Sequence, residues 1–175
     1  MAKVYDRTNQ KEVPESELIP YLAAHGIHYE YWPIDRLPDS LRTQKTLSAE
    51  EQSQVIAAFA PELQRMSRDY GYISHDVVVL NTVSTPNLDE LLANFERFHR
   101  HSEDEVRFIV DGAGVFTLER EGDLFDVTVY AGDLISVPRG TRHYFTLTET
   151  RNVKAIRLFQ TREGWVAIYD EEAVS

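Results

Sequence analysis

From Phe98 onward, short runs of β-forming residues are broken by turn signals roughly every 8–12 residues, the rhythm of a β-sandwich or barrel. Residues 106–110 lead into Asp111-Gly112-Ala113-Gly114, which reads as a hairpin signal with residues 115–119 returning. Glu121-Gly122-Asp123 turns the chain again, and residues 124–130 form the next strand. Gly132-Asp133 precedes a strand at 134–137. Pro138-Arg139-Gly140 fits a type I turn, with Pro second and Gly fourth. Strands at 143–147 and 153–160 complete the set.

The preceding 97 residues are mixed. Residues 15–25 have helical character, with Leu18, Ile19 and Leu22 on one side, Pro20 keeping the helix short or kinked, and Gly26 ending it. Ile27, Tyr29 and Tyr31 alternate with His28, Glu30 and Trp32, as in a strand. Ser48-Ala49-Glu50-Glu51 is a capping box ahead of Val55, Ile56, Phe59, Leu63 and Met66 at helical spacing, a region that Pro61 splits or kinks. Thr85-Pro86 reads as an N-cap and first helical residue before a stripe of Leu88, Leu91, Leu92 and Phe95. We expect one domain over residues 1–175: a mainly β protein whose helical and mixed N-terminal part, 1–97, packs on a barrel formed by 98–170.

Composition narrows the chemistry. The chain has 175 residues and no cysteine, so disulfides and thiolate metal sites are excluded and any metal must bind imidazole and carboxylate. A formal net charge of −11 disfavours nucleic acid and anionic membrane as partners, although a local cationic cluster could still hold an anionic small molecule. No apolar run approaches the ~20 residues needed to span a bilayer. The N-terminus has no apolar signal core, so a cytoplasmic location is expected. The acidic surface shows no long apolar stripe, which favours a monomer.

The segment that carries chemistry is His99-Arg100-His101-Ser102-Glu103-Asp104-Glu105. Strand residues two apart share a face, with Cα atoms roughly 6.6–7 Å apart, so two imidazoles can converge on one ion. Glu105 can reach the same ion if residues 102–104 bend or the strand continues. His143 follows Glu105 by 38 residues, directly after the 138–140 turn, and could arrive from a neighbouring strand. On an octahedral ion, three nitrogens and one oxygen leave two positions open for a chelating substrate, whereas a structural zinc site would be closed. A lone His-x-His pair is more often an accident of surface composition, and residues 103–105 could be a solvated acidic turn.

The combination is more informative than its parts. His99-Arg100-His101-Ser102-Glu103-Asp104-Glu105-Val106-Arg107-Phe108-Ile109-Val110-Asp111-Gly112 and Gly132-Asp133-Leu134-Ile135-Ser136-Val137-Pro138-Arg139-Gly140-Thr141-Arg142-His143 resemble the paired motifs of the cupin superfamily, which implies a jelly-roll β-barrel. The run 99–114, the string 133–138, the Ala155-Ile156-Arg157 strand and Glu163-Gly164-Trp165 resemble the acireductone dioxygenases in particular. That resemblance implies a role in methionine salvage, acting on 1,2-dihydroxy-3-keto-5-methylthiopentene and O2. With Fe(2+) the products would be 4-methylthio-2-oxobutanoate and formate. With Ni(2+) they would be 3-methylthiopropionate, formate and CO. One ion per chain would be held by His99, His101, Glu105 and His143.

Other residues have two readings each. Arg107 shares strand parity with Glu105 and could anchor that carboxylate or an anionic substrate; otherwise it is a surface arginine on an edge strand. Arg157 lies in an otherwise apolar strand, and a buried guanidinium needs a partner. An enediolate oxygen would serve, as the resemblance implies for a catalytic arginine, and so would a nearby Asp or Glu. Phe145 shares parity with His143 and would line the cavity, while Trp165 could cover the methylthio end of the substrate; both residue types are more often core aromatics. His25, His28 and His75 lack partners at ligand spacing. A cupin that binds metal without oxygen chemistry, such as a sugar isomerase or ligand-sensing module, is the competing reading, and dioxygen consumption separates the two.

Overall fold

Sixteen consecutive residues form one strand at the centre of the molecule, and the two sheets are built on its two halves. The computed structural model describes residues 1–161 and 166–170. In chain order the strands are β1 (Lys3–Asp6), β2 (Lys11–Val13), β3 (His28–Tyr31), β4 (Ser74–Asn81), β5 (His99–Arg100), β6 (Glu105–Arg120), β7 (Asp123–Tyr130), β8 (Asp133–Val137), β9 (His143–Leu147), β10 (Asn152–Phe159) and β11 (Ile168–Tyr169). The helices are α1 (Leu18–Ala24), α2 (Asp39–Thr43), α3 (Ala49–Ala58), α4 (Ala60–Tyr70) and α5 (Leu88–Phe95). The second half of β6 lies in a sheet ordered β11-β5-β9-β6-β7-β1-β2. Its first half pairs with β8 and β10, which carry β3 and β4 on their outer edges. The two sheets face each other as a β-barrel, mainly β with helices drawn from the N-terminal part, in keeping with the expected architecture.

The 111–114 stretch does not reverse the chain as its composition suggests; β6 runs straight through it. The glycines are there for close approach. Gly112 has φ +79°, and a Cβ on it would fall 2.1 Å from the Asn152 carbonyl oxygen. A Cβ on Gly114 would meet the Phe145 ring at 2.4 Å. Pairing with β10 slips between Lys154 and Ala155, leaving Val110 as an extra residue at the bend that carries β6 from one sheet to the other. The reversal comes at the next signal, where Glu121 and Gly122 both have positive φ, as a two-residue hairpin turn requires.

Two further local expectations are corrected. The turn before β9 sits one residue later than its sequence suggests: Thr141 N–H donates to Pro138 O, which puts Gly140, at φ +75°, third rather than fourth. A positive φ at that place belongs to a type II turn. Thr85 does not cap α5. That helix starts at Leu88 after Asn87, and the Thr85 hydroxyl instead accepts from the Asn81 backbone at the end of β4. The capping box at Ser48 and Glu51 forms as read, and Pro61 opens a separate helix, α4.

Alternation along β6 separates the two apolar layers. Val106, Phe108 and Val110 point outward, against Val55 and Phe59 of the α3–α4 region and Leu63 and Met66 of α4. Phe108 is fully buried, its ring 4.6 Å from Phe59 and 4.5 Å from Trp32. Ile109 points inward, to a barrel core shared with Phe116, Leu118, Phe125 and Val127. Helices α3 and α4 therefore cover one sheet from outside, whereas α1 and α5 add Leu18, Leu22, Leu88 and Leu92 to the barrel core. This parity leaves the inward positions 105, 107 and 109 for the barrel interior.

Candidate metal centre

Two of the imidazoles are placed by the strand ladder and the third by the loop that follows it. His99 on β5 stands directly opposite His143 on β9, which stands opposite Leu118 on β6. His101 follows β5, and residues 102 and 103 bend, so that Glu105 enters as the first residue of β6. The neighbouring acidic residues are not a solvated turn. Glu103 is buried and accepts from Gln160 N–H at 2.8 Å and the Thr161 hydroxyl at 2.6 Å. Asp104 accepts from Arg139 N–H, and the His101 carbonyl accepts from Gly140 N–H, both at 2.9 Å. These bonds fasten the loop carrying His101 to the turn that leads into His143.

The four side chains meet. One donor atom from each of His99, His101, Glu105 and His143 lies within 4.8 Å of the others. The imidazole orientations are fixed from behind. Nδ1 of His99 donates to Arg97 O at 2.7 Å, Nδ1 of His143 to Thr141 O at 2.8 Å, and Nδ1 of His101 to Val166 O at 3.0 Å. A carbonyl only accepts, so each Nδ1 carries the proton and each Nε2 is left to face the centre. His143 Nε2 lies 2.5 Å and His101 Nε2 3.6 Å from Glu105 Oε2. Burial lowers the pKa of His99 and of His101, which keeps their Nε2 lone pairs available. For His143 burial acts in the same direction, but the Glu105 carboxylate outweighs it and the pKa is raised. Burial would raise Glu105, yet Arg107 and His143 hold it well below the ordinary carboxylate range. Three neutral-capable nitrogens and an ionised carboxylate, buried and convergent, are the donor set of a divalent transition-metal ion. The residues fit such a group.

The centre opens on a cavity of about 430 Å³. His99, His101, Glu105, Arg107 and Arg157 form its polar end, and Leu80, Leu91, Phe95, Phe145 and Val153 are among its apolar walls. Arg107 is not a surface arginine on an edge strand. β6 is flanked on both sides there, and Nη2 lies 3.0 Å from Glu105 Oε1. Arg157 has the acidic partner that was one of its two readings: Nε and Nη2 bind Asp76 Oδ1 and Oδ2 at 2.8 and 2.6 Å. Its position on the cavity is compatible with the other role as well. Phe145 lies on the cavity wall as its parity with His143 suggests, and Trp165 falls outside the described residues. His25 is fixed between Tyr21 O and Asp123, His28 bonds Glu30, and His75 is exposed on β4; none joins the cluster.

Sequence reasoning missed Asp76, Tyr169 and the inward-facing Val78 and Leu80, all brought in by β4 and β11. Four consecutive apolar residues at 77–80 were the available signal for β4. On α5 the stripe divides, Leu88 and Leu92 entering the core while Leu91 and Phe95 reach the cavity.

Comparison with known proteins follows the same residues. Positions 28–167 match the ARD/ARD′ family. An acireductone dioxygenase of Bacillus pumilus is 46% identical over 172 residues, covering 98% of this chain and 97% of the relative. That of Bacillus subtilis is 44% identical over 174 residues, covering 99% and 97%. The solved structure of acireductone dioxygenase from Bacillus anthracis with a cadmium ion in its active centre superposes with a TM-score of 0.93 at 46% identity, covering 97% of this chain and 98% of that one.

Proposed function

The chain belongs to the ARD/ARD′ family and is a metal-dependent acireductone dioxygenase, and from that premise we propose that His99, His101 and His143, through Nε2, and the Glu105 carboxylate hold its single ion. The observation that carries this assignment is the convergence of all four donor atoms with every Nδ1 already committed to a carbonyl. The reaction is that of methionine salvage, oxidation of 1,2-dihydroxy-3-keto-5-methylthiopentene by O2. The products are 4-methylthio-2-oxobutanoate and formate with iron, and 3-methylthiopropionate, formate and CO with nickel. We assign Fe(2+) or Ni(2+) as the ion. Nickel binds such a nitrogen–oxygen set more tightly than iron(II), so supply decides which is loaded. When bound, the ion acts as Lewis acid and template for the substrate oxygens.

The chain's own residues shape the rest. Arg107 balances Glu105 and keeps it ionised, which preserves a carboxylate donor in a buried place. Arg157, its plane fixed by the two bonds to Asp76, presents positive charge at the polar end of the cavity and would hold an enediolate oxygen. Within a globally acidic protein this sets two guanidinium groups, each held by a carboxylate, where they would orient an anionic substrate. Phe145, Phe95 and Leu91 form an apolar wall suited to the methylthio chain, and Arg107, buried against Glu105, acts at a lower dielectric than the part-exposed Arg157. The test is metal analysis followed by acireductone decay with and without oxygen. His99→Ala and His143→Ala are expected to lose stoichiometric metal and oxygen uptake together. Wild-type turnover by a metal-free variant would refute the site.

A further inference from the structure

We propose that Asp170 is a positioning residue for His101, acting through the C-terminal strand β11; this deepens the metal assignment above and rests on it. Two of the three imidazoles are oriented by the residues that lead directly into them. The acceptors for His99 and His143 are Arg97 O and Thr141 O, each two residues earlier. His101 differs, because its acceptor, Val166 O, lies 65 residues away. Its tautomer and ring orientation therefore depend on a segment that local chain geometry does not hold in place.

That segment is weakly paired. β11 has two residues and bonds to β5, itself two residues long, in the register Ile168 with Arg100 and Tyr169 with His99. A two-residue edge strand paired to another of two residues frays readily. Asp170 supplies what the ladder lacks. Its Oδ2 accepts from Arg142 Nε at 2.6 Å and its Oδ1 from Arg100 Nη1 at 3.3 Å. Arg142 is itself held, 2.9 Å from Glu119 and 3.6 Å above the Phe98 ring. Arg100 sits between His99 and His101, and Arg142 precedes His143. One carboxylate thus ties the C-terminal segment to both stretches that carry imidazole ligands. Four residues before it, the Val166 carbonyl is delivered to His101 Nδ1.

Without this latch the His101 Nδ1–H would lose its fixed acceptor, exchange with water, and leave the ring less firmly oriented toward the ion. Losing the outer partner of a ligating imidazole weakens metal binding by about 10–100-fold. Asp170 and Arg142 are partly exposed, so replacing either leaves the apolar core intact.

The experiment compares wild type, Asp170→Asn, Asp170→Glu and Arg142→Gln, each loaded with zinc(II), a diamagnetic ion suited to nitrogen and oxygen donors. Two quantities are read: the rate of zinc transfer to excess chelator, and the imidazole N–H signals of 15N-histidine-labelled protein. Asp170→Asn and Arg142→Gln are expected to bind zinc stoichiometrically and release it about tenfold faster. They should lose the protected Nδ1–H signal of His101 while keeping those of His99 and His143, and Asp170→Glu should restore both readouts in part. Unchanged release with all three signals intact would overturn the latch alone, as would equal loss at all three imidazoles, which marks general loosening. A wild-type protein that fails to hold zinc would overturn the metal assignment and the latch with it.

Discussion

Gly112→Ala is expected to destabilise the protein by far more than Gly71→Ala, although both glycines have nearly the same backbone conformation. Their φ values are +79° and +76°. An alanine in the left-handed region costs about 1–2 kcal/mol at either place. The surroundings differ. Gly71 ends α4 with nothing within 4 Å of an added Cβ, whereas a Cβ at Gly112 would lie 2.1 Å from Asn152 O and 2.7 Å from Asn152 C. Those atoms are backbone of β10, which is bonded on both sides and cannot yield as a side-chain tip can. Forcing such a shift adds about 1–3 kcal/mol. The totals are about 1–2 kcal/mol for Gly71→Ala and about 2–5 kcal/mol for Gly112→Ala. Urea unfolding monitored by far-UV circular dichroism reads the difference as a change in midpoint at constant slope, with about 1–3 kcal/mol per M of urea as the conversion. Equal midpoints for the two variants would refute the argument that close approach of β6 and β10, rather than backbone conformation alone, demands glycine at the bend.

Three other outcomes follow from the structure. Lys154 is buried, and its ammonium donates to Leu41 O, Arg42 O and Gln44 O at 2.7–2.9 Å, so Lys154→Met is expected to cost about 3–5 kcal/mol in the same urea assay by stranding three carbonyls; a neutral result would mean that the three bonds contribute nothing net. Burial would raise the pKa of Glu30, but bonds from Arg65, Trp32 and His28 bring it from 4.5 to about 2. Its contribution is complete above pH 4.5 and disappears as pH falls toward 2, and because Arg65 is partly exposed we expect only about 1 kcal/mol, read as a shallower acid-unfolding slope in Glu30→Gln. Asp76→Ala is expected to lower kcat with acireductone about tenfold with metal content intact, since Arg157 loses the partner that fixes its plane; an unaltered kcat would remove Arg157 from orienting the substrate.

The four converging side chains were legible partly from short-range facts and partly from the family resemblance, which joined His143 to the set across 38 residues. His99 and His101 are two residues apart, the 102–104 bend follows from polar residues, and the glycine turn before His143 is a local signal. The Asp111–Gly114 stretch was misread for an equally physical reason. Glycine is required both where a chain reverses and where two backbones approach, and composition does not distinguish the two. The nearness of Asn152, 40 residues beyond Gly112, is what made Gly112 necessary, and no local pattern records it.

The fate of Arg157 shows where this boundary lies. From β10 alone its parity with Val153 and Ala155 places it on the inward face, and burial of a guanidinium demands an anion. Whether that anion is substrate or protein turns on which residue stands opposite in the next strand. The Val77–Leu80 run marks an apolar stretch but leaves its register open, and a shift of one residue would turn every side chain of β4 to the other face. In the observed register Arg157 faces Asp76, and the alternation that turns Val78 and Leu80 into the cavity also brings Asp76 to the arginine. A carboxylate bound on the Nε–Nη2 edge holds the guanidinium in one plane and offsets part of its charge. On the proposed function Arg157 would orient an anionic substrate rather than bind it tightly, and Arg107, against Glu105, is constrained in the same way. Two cations that each answer to a protein carboxylate would then leave most of the affinity for an enediolate to the ion, and substrate binding would follow metal occupancy.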